Sequence, residues 1–278
     1  VVVDEAGMVG NGDAVRLLEV AAADARVVFV GDPHQYAAVR ARSGLLGTLA
    51  YELPDAVELT EVFRQRNAVE RRVSKWLRDG DVALVEQAAD WYVGEGRLHA
   101  GSVTAMLSDA MDDWKSDVAQ GKDALLVAGD WDTVDALNRA AQKHLVDSGA
   151  VDAAGRGVKL NAGGVKQRGF VGDVVLTRRN DYELVTATGE PVRNGQRWVS
   201  ESINHSGEAR LRRMDDASAT VTIPADYLTS HGQLGYAATD HAAQGAAVDV
   251  ARVVADAGRV DRAGVYVPMT RGREVNEL

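Results

Sequence analysis

The sequence predicts an α/β protein: parallel-sheet units, with a small antiparallel barrel inserted into the second. Three observations lead there. First, apolar runs rich in β-branched residues, Val1–Val3 and Val27–Val30, flank a stretch from Gly12 to Ala25 in which Val15, Leu18 and Val20 recur at helical spacing. Strand, helix and strand at that distance make the repeating unit of a parallel sheet. Second, Ala124–Ala128 (ALLVA) reads as another buried strand, followed by a helix over 132–148 with Asp or Thr at its start. Third, the texture changes between 155 and 230. Glycines punctuate short stretches such as Val174–Thr177 and Ala219–Ile223, and Asn194-Gly195 marks a hairpin turn.

The remaining elements follow in order. Residues 67–92 and 102–119 read as amphipathic helices. The α/β texture returns at Gly235-Tyr236-Ala237 and at Gly264–Pro268 (GVYVP), the latter expected as a strand with Arg271 just beyond it. Because Val1-Val2-Val3 has the character of the middle of a core strand, the chain is expected to begin partway through its first unit.

Composition narrows the function. The 278 residues with 46% hydrophobic content can fill one large core or two to three small ones. No apolar run is long enough to cross a bilayer, and no N-terminal segment reads as a signal peptide. Cysteine is absent, which excludes disulfides and thiolate metal sites and fits a cytoplasmic protein. A net charge of −10 argues against bulk coating of nucleic acid. The charge is uneven, however. Residues 1–110 hold 11 Lys and Arg against 17 Asp and Glu, whereas 151–230 hold 11 against 10, so a DNA contact is expected to be local and in that later stretch.

Several turns could carry chemistry. Asp4-Glu5 follows an apolar strand, where one carboxylate can hold Mg²⁺ through water and the next can polarise an attacking water. An acidic pair is equally at home at a strand end or helix start. Gly31-Asp32-Pro33-His34-Gln35 ends the next strand; Gln35 can donate and accept at once, which suits a phosphate sensor, although Gly-Asp-Pro is also an ordinary turn. Arg64, after Leu59–Phe63, and Arg271, after Val265–Thr270, could each neutralise charge on a transferring phosphoryl group, a role worth roughly 10³–10⁵ in rate. Either could instead be a surface or ion-pair arginine. Tyr236-Ala237-Ala238-Thr239-Asp240-His241-Ala242-Ala243-Gln244-Gly245 gathers groups able to face a phosphate backbone or an exposed base.

In order, DEAGM, GDPHQ, LTEVFRQR, YAATDHAAQG and YVPMTRGRE resemble motifs II, III, IV, V and VI of superfamily 1 DNA helicases, closest to the RecD-like enzymes. The wording of 169–199 and of TRGRE resembles the helicase half of TraA/TrwC-type conjugative relaxases. The resemblance implies RecA-like parallel-sheet motor domains, the first truncated, with an SH3-like β-barrel inserted in the second. It divides the chain at 1–58 (end of the first motor domain), 59–154 (motif IV, helices and the start of the second), 155–230 (barrel) and 231–278 (rest of the second). It implies ATP and Mg²⁺ as cofactors, single-stranded DNA as partner and travel 5′→3′. By the same resemblance Asp4 holds the metal, Glu5 is the catalytic base and Gln35 couples the γ-phosphate to movement. Arg64 and Arg271 are arginine fingers, Gln244 and Gly245 border the nucleotide, and Tyr236, Thr239 and His241 face DNA.

The chain also departs from the family. Ala242 stands where Lys is frequent, so one possible backbone contact is absent; Pro268 stands where a small residue is usual and Tyr36 where Leu is frequent, and neither is expected to touch a catalytic atom. No G-x-x-x-x-G-K-[ST] occurs anywhere in the sequence. That loop cradles the β- and γ-phosphates, so it is expected in a missing N-terminal part of the same motor, and the 278 residues alone are expected not to hydrolyse ATP. Two other readings compete: a non-catalytic single-strand-binding module derived from a helicase, and a P-loop NTPase with no nucleic-acid task.

Overall fold

The computed structural model describes residues 1–36 and 45–278. Strand β1 (Val2–Val3) lies parallel to β2 (Val28–Phe29), with Val2 opposite Val28. Helix α1 (Asn11–Val20) makes the crossover. It stops short of Ala25 because Ala25 N–H closes a turn on the Ala22 carbonyl (2.8 Å), which redirects the chain into β2. Helix α2 (Leu45–Glu52) packs over the turn after β1. The turns ending β1 and β2 touch, and a Cβ on Gly31 would lie 2.9 Å from the Ala6 nitrogen and from Leu46 Cδ2. Only glycine allows that approach.

The helix expected over 67–92 is two, α3 (Ala68–Asp79) and α4 (Val82–Gly94). Gly80 between them takes φ 74°, and Asp81 caps α4 by accepting from Leu84 N–H at 3.1 Å. Helix α5 (Val103–Ala119), capped by Ser102, leads to β3 (Ala124–Ala128) and α6 (Trp131–Asp147). Asp130 caps α6 through Thr133 N–H at 2.8 Å.

Next come β4 (Val158–Leu160), β5 (Gln167–Gly169), β6 (Val174–Thr177), β7 (Asp181–Val185), β8 (Pro191–Val192), β9 (Arg197–Ile203), β10 (Ala209–Arg213) and β11 (Thr220–Ile223), all short. Helix α7 (Ala225–His231) and β12 (Gly232–Leu234) follow. The order β11-β10-β9-β6-β12 forms an antiparallel sheet. It therefore includes residues beyond the expected edge at 230.

Strands β13 (Ala237–Thr239), β14 (Val248–Val254) and β15 (Gly272–Glu277) join β3 in an all-parallel sheet ordered β13-β3-β14-β15. The short helix α8 (Asp240–Ala243) follows β13, and α9 (Arg262–Tyr266) precedes β15. Gly264–Pro268, expected as a strand, is thus the end of a helix and the start of a 3₁₀ turn over Pro268–Thr270. Asp261 decides this by capping Gly264 N–H at 2.8 Å; a five-residue apolar run does not by itself distinguish strand from helix.

Both faces of the parallel sheet are covered, as such sheets require. Leu126 packs with Trp114, Tyr236 and the barrel's Trp198 in one core, while Leu125 and Val127 pack with Val73 and Tyr92 in the other. The barrel shares the first core, and the Arg197–Asp123 pair at 2.6 Å fastens it to the sheet. Asn138, fully buried, accepts from Tyr236 and Ala237 N–H (3.0 and 2.9 Å) and donates to the Ala237 carbonyl (3.1 Å). It satisfies the open edge of β13. Among the described residues no helix is long and apolar enough to cross a membrane.

Candidate nucleotide cleft

The first wall of the cleft is the pair of acidic turns. Asp4 and Glu5 stand exposed directly after β1, and Glu5 N–H donates to Asp4 Oδ1 at 2.9 Å. Glu5 has φ 51°, the one positive φ outside glycine among the described residues. Such a residue costs on the order of 1–3 kcal/mol and persists where its surroundings over-determine it. Here the bond from Ala6 N–H to the Val30 carbonyl (2.8 Å) ties the turn to the strand next door. Asp32 accepts from His34 N–H (2.9 Å) and from the Gln35 amide (3.1 Å), which fixes the Gln35 side chain beside Asp32.

The second wall comes from the other end of the sequence. Gln244 donates to the Glu5 carboxylate at 3.0 Å, and the Tyr266 hydroxyl donates to Asp32 at 3.0 Å. Arg64 donates to the Thr270 carbonyl at 3.1 Å. Arg271, only 2% exposed, donates to the Val267 carbonyl and the Thr270 hydroxyl, each at 2.7 Å. Both guanidiniums thus bond to neutral oxygens. Burial, then the charge of Arg64, pushes Arg271 down to about 9, against the pull of Tyr266, Glu5 and Asp32. Burial also lowers Arg64. Arg271 remains a cation at neutral pH, but one that an anion would stabilise strongly.

These residues fit a phosphorylated nucleotide. The Glu5 charge acts on both desolvated guanidiniums and that of Asp32 on Arg271, and the buried Oε1 of Gln244 has no hydrogen-bond partner among the described residues. Gln65, beside Arg64 and fully buried, pairs neither of its amide atoms with any described residue. Among the described residues no cluster of three or more potential ligands makes a protein-only metal cage. Asp4 and Glu5 offer the one or two carboxylates that a phosphate-bound Mg²⁺ takes from protein.

The motif around Tyr236 divides. Tyr236 was expected to face DNA, but it is 2% exposed; its hydroxyl donates to Asp173 at 2.6 Å and accepts from Val174 N–H, and its ring meets Trp114 edge-on. The structure places it in the core, joining barrel to sheet. Thr239 is also nearly buried and caps α8, accepting from Ala242 N–H at 3.1 Å. His241 lies at the surface, where its ring stacks on Tyr36 with centroids 3.8 Å apart and planes at 21°. The Tyr36 hydroxyl donates to Asp240 at 2.8 Å. Tyr36 was read as a neutral departure; instead it braces the turn bearing Gln35 against the segment leading to Gln244. Gly245, φ 82°, turns the chain just past Gln244. The sequence reading also missed Tyr266 and Gln65, although both lie inside motifs it had singled out.

A parallel sheet with an inserted barrel, and acidic turns that meet Arg64 and the buried Arg271, defines a RecA-like α/β fold. Comparison with known proteins agrees. Residues 1–103 match the model of an AAA domain, and 162–233 that of the Rv2311 SH3-like barrel domain. The chain is 32% identical over its whole length to the conjugal transfer protein TraA of Agrobacterium fabrum, and 30% to that of Rhizobium radiobacter. It spans about a quarter (24%) of the length of each of these relatives. The fold resembles that of Pif1 helicase from Bacteroides, solved with ADP-AlF3 and ssDNA. That match has a TM-score of 0.58 at 15% identity and covers all of this chain and 70% of the Pif1 chain. The chain is similar along its whole length to one region of the TraA conjugal transfer proteins and shares its fold with Pif1 helicase.

Proposed function

We propose that the chain is part of an ATP-dependent motor that moves along single-stranded DNA in the 5′→3′ direction within a conjugative relaxase-helicase. The observation that carries this reading is the convergence on one cleft of Glu5, Gln244, Arg64 and the buried Arg271, residues from opposite ends of the sequence. The Pif1 helicase that shares the fold was solved with single-stranded DNA, which supports the same partner here.

In this reading Glu5 accepts the proton of the attacking water, and Gln244 holds the Glu5 carboxylate in place. Arg64 and Arg271 meet the charge developing on the transferring phosphoryl group. Asp4 would hold Mg²⁺ through water, and the ion would supply charge neutralisation at the phosphate oxygens. Gln35 reports the γ-phosphate through Asp32 to Tyr266, and Tyr36 carries any shift of that turn to Asp240 and His241. Hydrolysis thereby loosens the contacts between the two walls, and each cycle moves the strand.

The 278 residues contain no phosphate-binding loop of the P-loop kind, and relatives of the chain are much longer. We propose that the loop is contributed by polypeptide outside these residues. The 278-residue chain alone is then expected to show no ATP turnover above background. A longer polypeptide that includes the loop should turn over and be stimulated by single-stranded DNA. Turnover by the 278 residues alone, abolished by Glu5→Gln, would contradict this arrangement.

The Tyr36 brace gives a separate expectation. In the loop-bearing polypeptide, Tyr36→Leu should reduce DNA stimulation of turnover by roughly fivefold or more, the scale of ordinary coupling between sites, with turnover in the absence of DNA largely kept. Equal loss of both rates would show that Tyr36 only supports the fold.

A further inference from the structure

Three arginines are pushed down by burial: Arg64, Arg178 and Arg271. Two of them line the cleft, where phosphate would complete them. Arg178 lies elsewhere, just after β6 at the junction of barrel and parallel sheet, and burial is the whole cause of its shift. Its guanidinium forms no ion pair with any described carboxylate. Other arginines with little exposure are compensated, Arg197 by Asp123 and Arg252 by Asp117. What Arg178 has is an aromatic ring: its guanidinium carbon sits 5.1 Å from the centroid of Trp131. Trp131 is 44% exposed, although it opens a long helix packed into the core.

The location is informative. Ala128 at the end of β3 is in register with Thr239 at the end of β13. Trp131, three residues further on, therefore stands past the same sheet edge as Thr239 and His241, and Arg178 reaches it from the barrel. The neighbouring Asp130 is engaged in capping, bonded to both N–H and hydroxyl of Thr133 (2.8 and 2.7 Å). An indole with open surface beside an uncompensated guanidinium suits one nucleotide, since every base has a face to stack and every linkage an anion.

We propose that Trp131 and Arg178 form a platform for one nucleotide of single-stranded DNA, the base against the indole and the phosphodiester against the guanidinium. This rests on the reading of the chain as a single-strand motor. A strand held there touches barrel and sheet at once, so the platform would report their relative position to the DNA.

The test is binding of fluorescently labelled oligo(dT) to the full chain, by anisotropy, over a range of salt. Trp131→Ala should weaken binding about tenfold, in line with loss of one base–aromatic stack, while Trp131→Phe keeps most of the affinity. Arg178→Ala should weaken binding and make the plot of log affinity against log salt shallower by about 0.7, one phosphate contact fewer. Arg178→Lys, which keeps the charge, should restore that slope. Trp131→Ala and Arg178→Ala affinities within twofold of the parent, with an unchanged slope, would overturn the platform alone. A parent chain that binds no oligo(dT) would overturn the platform together with the motor reading.

Discussion

Arg271→Ala, in a polypeptide that also carries the phosphate-binding loop, is expected to lower ATP turnover by about 10³–10⁵-fold, the range measured for arginine fingers. The size follows from where the side chain sits. Arg271 is desolvated, held at two atoms by Val267 and Thr270, and near enough to Glu5 to feel its charge. In so dry a place its charge would act on a phosphoryl group with little screening. The Val267 carbonyl keeps the Thr270 N–H and hydroxyl as donors (3.2 and 2.9 Å), but the substitution empties a buried side-chain position. Thermal unfolding should therefore be measured beside turnover. Arg271→Lys separates the two effects: lysine keeps a charge but cannot make both bonds of the guanidinium fork. A folded Arg271→Lys protein should remain severely impaired. Turnover near the parent rate in a folded Arg271→Ala protein would remove Arg271 from the chemistry.

Glu5→Gln is expected to lower turnover by roughly 10²–10⁴-fold, the usual contribution of a positioned general base. The exchange is nearly isosteric, and the new amide oxygen can still accept from Gln244. Glu5 is exposed, so folding should be unaffected. Nucleotide should bind about as tightly as before, which makes the defect one of rate. A matching loss of nucleotide affinity would instead assign Glu5 to binding.

Much of this was legible in the sequence because it is local. The ALLVA strand, the capped helix after it and the glycine-punctuated barrel each carry their own pattern. The acidic turns and both arginines were found because each falls just past an apolar segment. What was missed depends on distance along the chain. Tyr36 meets Asp240 across 204 residues, Tyr266 meets Asp32 across 234, and Gln244 meets Glu5 across 239. No periodicity announces such a contact. Tyr236 misled for the converse reason: a tyrosine among Thr, His and Gln has the composition of a binding face. Its fate was set by Asp173, a buried carboxylate of the barrel that needed a donor. The GVYVP segment misled because β-branched residues favour strands only when nothing nearby caps a helix.

In the proposed motor, one closure of the cleft serves both ATP and DNA, through Glu5–Gln244, Asp32–Tyr266 and Tyr36–His241. Its most direct test is the affinity of the loop-bearing polypeptide for a non-hydrolysable ATP analogue, with and without saturating oligo(dT), and the converse titration. Binding coupled through a shared closure must be reciprocal. Each ligand is expected to change the affinity of the other by the same factor, about fivefold or more, and Tyr36→Leu to shrink that factor. Two ligands that both bind, with neither altering the affinity of the other, would contradict it.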